Sequence, residues 1–185
     1  MKINYFIFSL LFIIALNGCQ EEVLPKPKAQ LRLEYPRAEY GEFNAGNYRF
    51  QMNNFSTVVR KGNGSLNLDY AGMKGSIFIT YKKVQDNIGT LMTDAQKLSI
   101  EHARKADGIL PHPFVNGDDK VYGTYFEVVG DAASQAQFYV TDSTQHFITG
   151  SLYFYTKPNY DSILPAASYL QNDVRKIMET IEWNE

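Results

Sequence analysis

The chain has 185 residues, 44% of them hydrophobic and 21% charged, with a formal net charge of −2. That composition is globular, and the slightly acidic balance excludes the basic face that nucleic-acid binding requires. Aromatics reach 14%, with 13 Tyr and 12 Phe, which favours β-rich structure because such side chains suit a pleated surface.

The first eighteen residues read as a signal peptide. Lys2 precedes an apolar run from Ile3 to Leu16. At about fourteen residues that run is short of the roughly 20 needed to cross a bilayer, and it fits a secretory core. It ends Leu16-Asn17-Gly18-Cys19, close to the aliphatic-small-small-Cys pattern of a lipidation site, although Asn17 is larger than usual there. Cys19 is the only cysteine, which excludes an intrachain disulfide and makes that thiol the expected point of lipid attachment. Residues 19–29 follow as anchor and tether. Pro25 and Pro27 among Glu and Lys cannot build a core and favour extended chain.

The rest, 30–185, reads as one domain. Leu31, Leu33 and Tyr35 alternate with polar residues until Pro36, as do Tyr48, Phe50 and Met52. Thr57–Arg60 is a short strand closed by Lys61-Gly62-Asn63-Gly64. Leu66, Leu68 and Tyr70, then Ile77, Ile79 and Tyr81, alternate on either side of a turn at 71–75. Period-two patterning between Gly and Asn turns predicts an antiparallel meander.

The period then changes. Ile88, Leu91, Ala95, Leu98, His102 and Ala106 predict a helix, with Asp86 or Asn87 to open it and Gly108 to stop it. Residues 109–120, rich in Pro and Gly, read as an irregular loop. Strands follow at 121–129, 135–141 and 146–156. A last helix carries Ile163, Leu164, Ala167, Leu170, Val174, Ile177 and Ile181 on one face, with Ser162 as N-cap and Pro165 in its first turn. Strands, helix, strands, helix makes an α+β fold, a mostly antiparallel sheet with two helices on one face. The element order resembles the PsbP/Mog1-like fold.

Chemistry is sparse. Gly72-Met73-Lys74-Gly75-Ser76 has too short a glycine spacing for a phosphate loop and precedes a strand, so it reads as a hairpin turn. His102 sits on an apolar helix face. His112 lies between prolines, with Asp118 and Asp119 as its only nearby candidates for a cation site. His146 follows Asp142-Ser143-Thr144, and an Asx-type turn explains that string better than a Ser-His-Asp constellation. No catalytic residue, metal ligand or cofactor site is expected. In the loop 156–162, Tyr160 is the residue that turn and cap chemistry does not require, which makes it a candidate partner contact beside a helix N-terminus.

One combination of residues is more specific. Pro25-Lys26-Pro27-Lys28 with Arg32, Pro36 and Tyr40, then His102-Ala103-Arg104-Lys105-Ala106, belong to it. So do Gln137-Phe138, Thr141-Asp142-Ser143, His146-Phe147, Gly150, Leu152-Tyr153-Phe154 and Pro158-Asn159-Tyr160-Asp161-Ser162, ending in the helix of Asp173 and in Trp183. Together they resemble the gliding-motility lipoprotein GldD family of Bacteroidetes. The resemblance implies a lipoprotein serving gliding and type IX secretion, held to the inner or outer membrane by its N-terminal lipid. It also implies a domain outside the cytoplasm and other envelope proteins as partners, and carries no catalytic residue or cofactor. A different class of function, a lipid-anchored domain binding a small ligand, peptidoglycan or glycan, stays open at this point.

Overall fold

The computed structural model describes residues 33–184, apart from 103–104 and 157–158. The signal peptide, Cys19 and the 19–29 tether lie outside the described residues. Among the described residues, ten strands form two antiparallel sheets, accompanied by two α-helices. In chain order the elements are β1 (Tyr40–Asn44), β2 (Tyr48–Asn53), β3 (Thr57–Gly62), β4 (Ser65–Tyr70), β5 (Gly75–Lys83) and α1 (Ile88–His102). Then come β6 (Gly108–Asn116), β7 (Val121–Val129), β8 (Ala136–Thr141), β9 (His146–Phe154), α2 (Tyr160–Glu179) and β10 (Glu182–Trp183). The large sheet has the order β3-β4-β5-β9-β8-β7-β6, and the small one β1-β2-β10. The fold is α+β with a mostly antiparallel sheet, as the patterning predicts.

The helices do not share a face. Register pairs Phe138 with Gly150, and Ile79 with the same glycine, so these positions look one way and Tyr139 and Thr149 look the other. On the first face Leu68, Ile77, Phe138, Ile148 and Leu152 pack with Leu170, Val174 and Ile177 of α2 and with Tyr48 and Phe50 of β2. On the second, Tyr139 and Phe147 pack against Leu91 and Ala95 of α1. This corrects the expectation of two helices on one face. Every residue of β8 is buried, so that strand needs a cover on both sides. Alternation within a strand says only that its faces differ, not where a distant helix docks.

Four boundaries also differ from the sequence reading. Residues 33–39 form no strand; Pro36 lacks the N–H a ladder needs, and Tyr35 instead lays its ring 5.5 Å from that of Tyr169 on α2. The 109–120 loop is mostly β6, an edge strand paired along its whole length with β7. Pro111 and Pro113 sit two residues apart, so their missing N–H groups share the outer side of the edge, where no ladder bond is lost. α1 ends at His102, and Gly108 opens β6 because the Asp107 N–H is already bonded to the Val129 carbonyl, 2.8 Å away. α2 begins at Tyr160 with Asn159 as its N-cap, which puts Ser162 and Pro165 inside the helix. β1 and β10 carry too little alternation to be read as strands in advance.

Candidate functional site

Tyr160, the candidate contact residue, is half-buried at the first position of α2. Its backbone N–H donates to Asp131 Oδ1 at 2.7 Å. The positive end of α2 is therefore already served by a carboxylate of the β7–β8 loop. A shallow cavity of about 280 Å³ lies here, lined by Lys105, Asp107, Asp131, Asn159 and Tyr160 among others. Burial raises the Tyr160 phenol above its ordinary range, and Glu127 and Asp107 add to that by repelling the phenolate. The phenol is therefore a neutral hydrogen-bonding group at any physiological pH.

The Asx turn at Asp142 is formed as expected. Its Oδ1 accepts the backbone N–H groups of Thr144, Gln145 and His146 at 3.0, 2.8 and 2.8 Å. Burial pulls this carboxyl upward, but those N–H groups outweigh it and hold it below the usual carboxylate range. The His146 ring contacts neither Asp142 nor Ser143 through a hydrogen bond. Its Nδ1 bonds the Tyr81 hydroxyl at 2.8 Å, and the ring stacks on Trp183 with centroids 5.0 Å apart and planes 7° from parallel. This is a structural clamp between β5, β9 and the C-terminal strand.

Burial lowers the His146 pKa below 6.5, Asp142 opposes that shift and Lys83 reinforces it. The unfolded chain thus binds more protons in the window just under 6.5. The contribution to stability is full above that value and is lost as pH falls through the folded pKa. Urea melts at pH 7 and pH 5 are expected to show this as an acid-side loss that shrinks in His146→Gln. An equal loss in both proteins would remove His146 from that role.

His112 stands apart, on β6. Its Nε2 lies 3.7 Å from Glu127 Oε2 and its ring 5.9 Å from Tyr125. Asp118 and Asp119 belong to the next turn, where Asp119 accepts from Asn116 Nδ2. No group of three or more His, Cys, Asp or Glu among the described residues is arranged to hold a metal ion. Gly72 and Met73 fall in a single 3-10 turn ahead of β5, and Lys74 closes it in the left-handed region, which is hairpin geometry.

The most concentrated polar chemistry was missed by sequence reasoning. Asp173, on α2, is 1% exposed. Its Oδ1 accepts the Tyr40 hydroxyl at 2.7 Å and its Oδ2 the Asn53 amide at 2.9 Å. The same amide reaches the Tyr169 hydroxyl at 2.9 Å. Tyr70 places a buried hydroxyl beside the carboxylate without completing a hydrogen bond of normal geometry. Burial raises the Asp173 pKa, with Tyr40, Asn53 and Tyr70 pulling it back. The network ties β1 and β2 to α2 across the first face of the large sheet. A signal was present: Asp173 falls three residues after Leu170 and four before Ile177, inside the apolar stripe.

Among the described residues, Asp142, His146 and Asp173 serve as polar ties between elements. The model of the family described as gliding motility lipoprotein GldD matches residues 20–183. The chain belongs to the GldD family. No curated protein matches it. Membership makes it a lipoprotein of gliding motility, and hence a protein associated with a membrane. No helix among the described residues is long and apolar enough to cross one. The match takes in Asp142, His146, Tyr160 and Asp173 alike, so the ties described above lie inside the segment characteristic of GldD proteins.

Proposed function

We propose that this chain is a lipid-anchored, non-catalytic accessory or assembly subunit of the gliding-motility machinery and the associated type IX secretion machinery of Bacteroidetes. The observation that carries the reading is the family match over 20–183, which starts one residue past Cys19. In this reading residues 1–18 are removed as a signal peptide, Cys19 carries the acyl chains, palmitate among them, and 30–185 is one domain in the periplasm. Several chains on one residue hold far more firmly than the single chain that binds only marginally. The non-catalytic part is supported by how the polar groups are engaged. Asp142 directs its carboxylate at backbone N–H groups, and Asp173 directs its own at Tyr40 and Asn53. Contacts with other envelope proteins are then its means of action.

The test is Cys19→Ala expressed in a gliding host. Radiolabelled palmitate is expected to leave the protein, which shifts out of the membrane fraction, and colony spreading is expected to stop. Unchanged labelling would overturn the anchor. Normal spreading with the label lost would overturn the need for it. Crosslinking with the wild-type lipoprotein as bait then identifies the subunit it touches, and recovery of no envelope protein would sink the assembly role.

A further inference from the structure

The strands impose two ends on the molecule. The β2–β3 and β4–β5 connections, the end of β9 and the segment 33–39 lie together at one of them. The β3–β4 and β8–β9 turns and the end of β6 lie at the other. Large apolar side chains collect at one corner of the first end. Leu33 is 45% exposed, Phe55 at the tip of the β2–β3 turn is 49% exposed, and Tyr155 just past β9 is 63% exposed. Between them an apolar groove of about 240 Å³ is lined by Tyr35, Pro36, Phe55 and Met73. Lys74 is exposed beside it, and its carbonyl accepts the Tyr155 N–H at 2.8 Å. The carboxylates of Asp107, Asp131 and Asp161 gather across the sheet, around Tyr160, while at this corner Asp69 accepts from the Ser76 hydroxyl that also meets the Tyr155 hydroxyl, and Glu34 follows Leu33.

The chain itself indicates what covers this corner. Leu33 is the first described residue, and thirteen residues separate it from Cys19. Even fully extended they span at most about 45 Å. Of the two ends, the one carrying Leu33 is the one that the tether joins, and Leu33, Phe55 and Tyr155 gather there around a groove, whereas the opposite end exposes Val115 and Tyr122. Side chains of this type partition into the boundary between headgroups and acyl chains, and a lysine beside them meets anionic headgroups favourably.

We propose that the corner formed by Leu33, Phe55, Met73 and Tyr155 docks on the lipid surface that holds the anchor, orienting the domain with its β3–β4 and β8–β9 turns away from the membrane. The proposal rests on the lipid-anchor reading, and the experiment separates the two. The full lipidated protein is reconstituted into phosphatidylethanolamine–phosphatidylglycerol vesicles. With Cys19 acylated, Phe55→Cys supplies the only thiol able to take an environment-sensitive fluorophore. Val115→Cys, at the far end of β6 and 73% exposed, is the matched control. Headgroup-level spin-labelled lipid is expected to quench the Phe55 site several-fold more than the Val115 site, and the Phe55 emission to move to the blue. Leu33→Cys should behave as Phe55→Cys does, which guards against one variant that folds poorly. Equal quenching at the two ends in protein that floats with the vesicles overturns the docking and leaves the anchor standing. Protein that fails to float, with Cys19 itself open to the dye, overturns the anchor and the docking with it.

Discussion

Asp173→Ala is expected to destabilise the protein by about 3 kcal/mol, because it leaves the Tyr40 hydroxyl and one of the two N–H groups of the Asn53 amide without an acceptor, the other still reaching Tyr169. Asp173 and Asn53 are buried between α2 and the small sheet, so water does not readily replace the partner that the Asn53 amide loses, while Tyr40 is half-buried. Asp173→Asn keeps one carbonyl oxygen and should be the milder change. Urea unfolding at neutral pH gives both values, and a midpoint for Asp173→Ala equal to that of wild type would show that the cluster contributes nothing. The pH dependence carries a sign. Burial raises this carboxyl above 3.8, so the folded chain binds the extra proton in the window just above that value. Wild type should therefore gain stability relative to Asp173→Asn as pH falls through that window, and lose it again as pH rises.

Gly150→Val should be as damaging, for a different reason. Gly150 faces Phe138 across the β8–β9 ladder, and a Cβ built on it would lie only 2.0 Å from Phe138 Cε1. The aromatic side chain occupies the space the glycine vacates, filling the middle of the first sheet face over α2. Overpacking of this kind costs about 3 kcal/mol when the surrounding core cannot move. The Gly150→Val/Phe138→Ala double variant is expected to recover part of the loss, since removing the ring reopens the volume the new side chain needs. Strictly additive losses in a double-mutant cycle would show that the two residues are not coupled.

Strands were legible where one face is apolar and the other polar. Leu66 and Leu68, like Ile77 and Ile79, announce β4 and β5, and their buried faces are as the alternation requires. β6 was not legible, because Pro111 and Pro113 argue against a strand anywhere except at an edge, and edge position is decided by pairing with distant residues. The opposite placement of the helices was hidden for the same reason. It depends on which side of β8 each amphipathic stripe reaches, and Tyr139 reads alike in either arrangement. Of the candidate residues, Asp142 announced its turn through its own local chemistry. Asp173 is interpretable only once Tyr40 and Asn53, more than a hundred residues earlier, are beside it.

The small sheet gives the chain a particular mechanical character. β2 holds β1 along one edge and β10 along the other, so both extremities of the described chain are fastened to a single strand. Tension drawn through the N-terminal side meets the fold at β1, and an antiparallel hairpin pulled from one strand end would open rung by rung. Here the first rung is reinforced. The Tyr40 hydroxyl grips Asp173, and the Glu39 carbonyl accepts the Asn54 N–H at 2.8 Å. Load therefore passes sideways into α2, which is embedded in the main core through Leu170, Val174 and Ile177, before it can peel β1 away. At the opposite edge Arg49 and Glu182 form an ion pair, and the Trp183 Nε1–H bonds the Lys120 carbonyl at 3.0 Å, so β10 resists being stripped as β1 is strained. The N-terminal hairpin is thus tied sideways to the main core as well as along its own ladder.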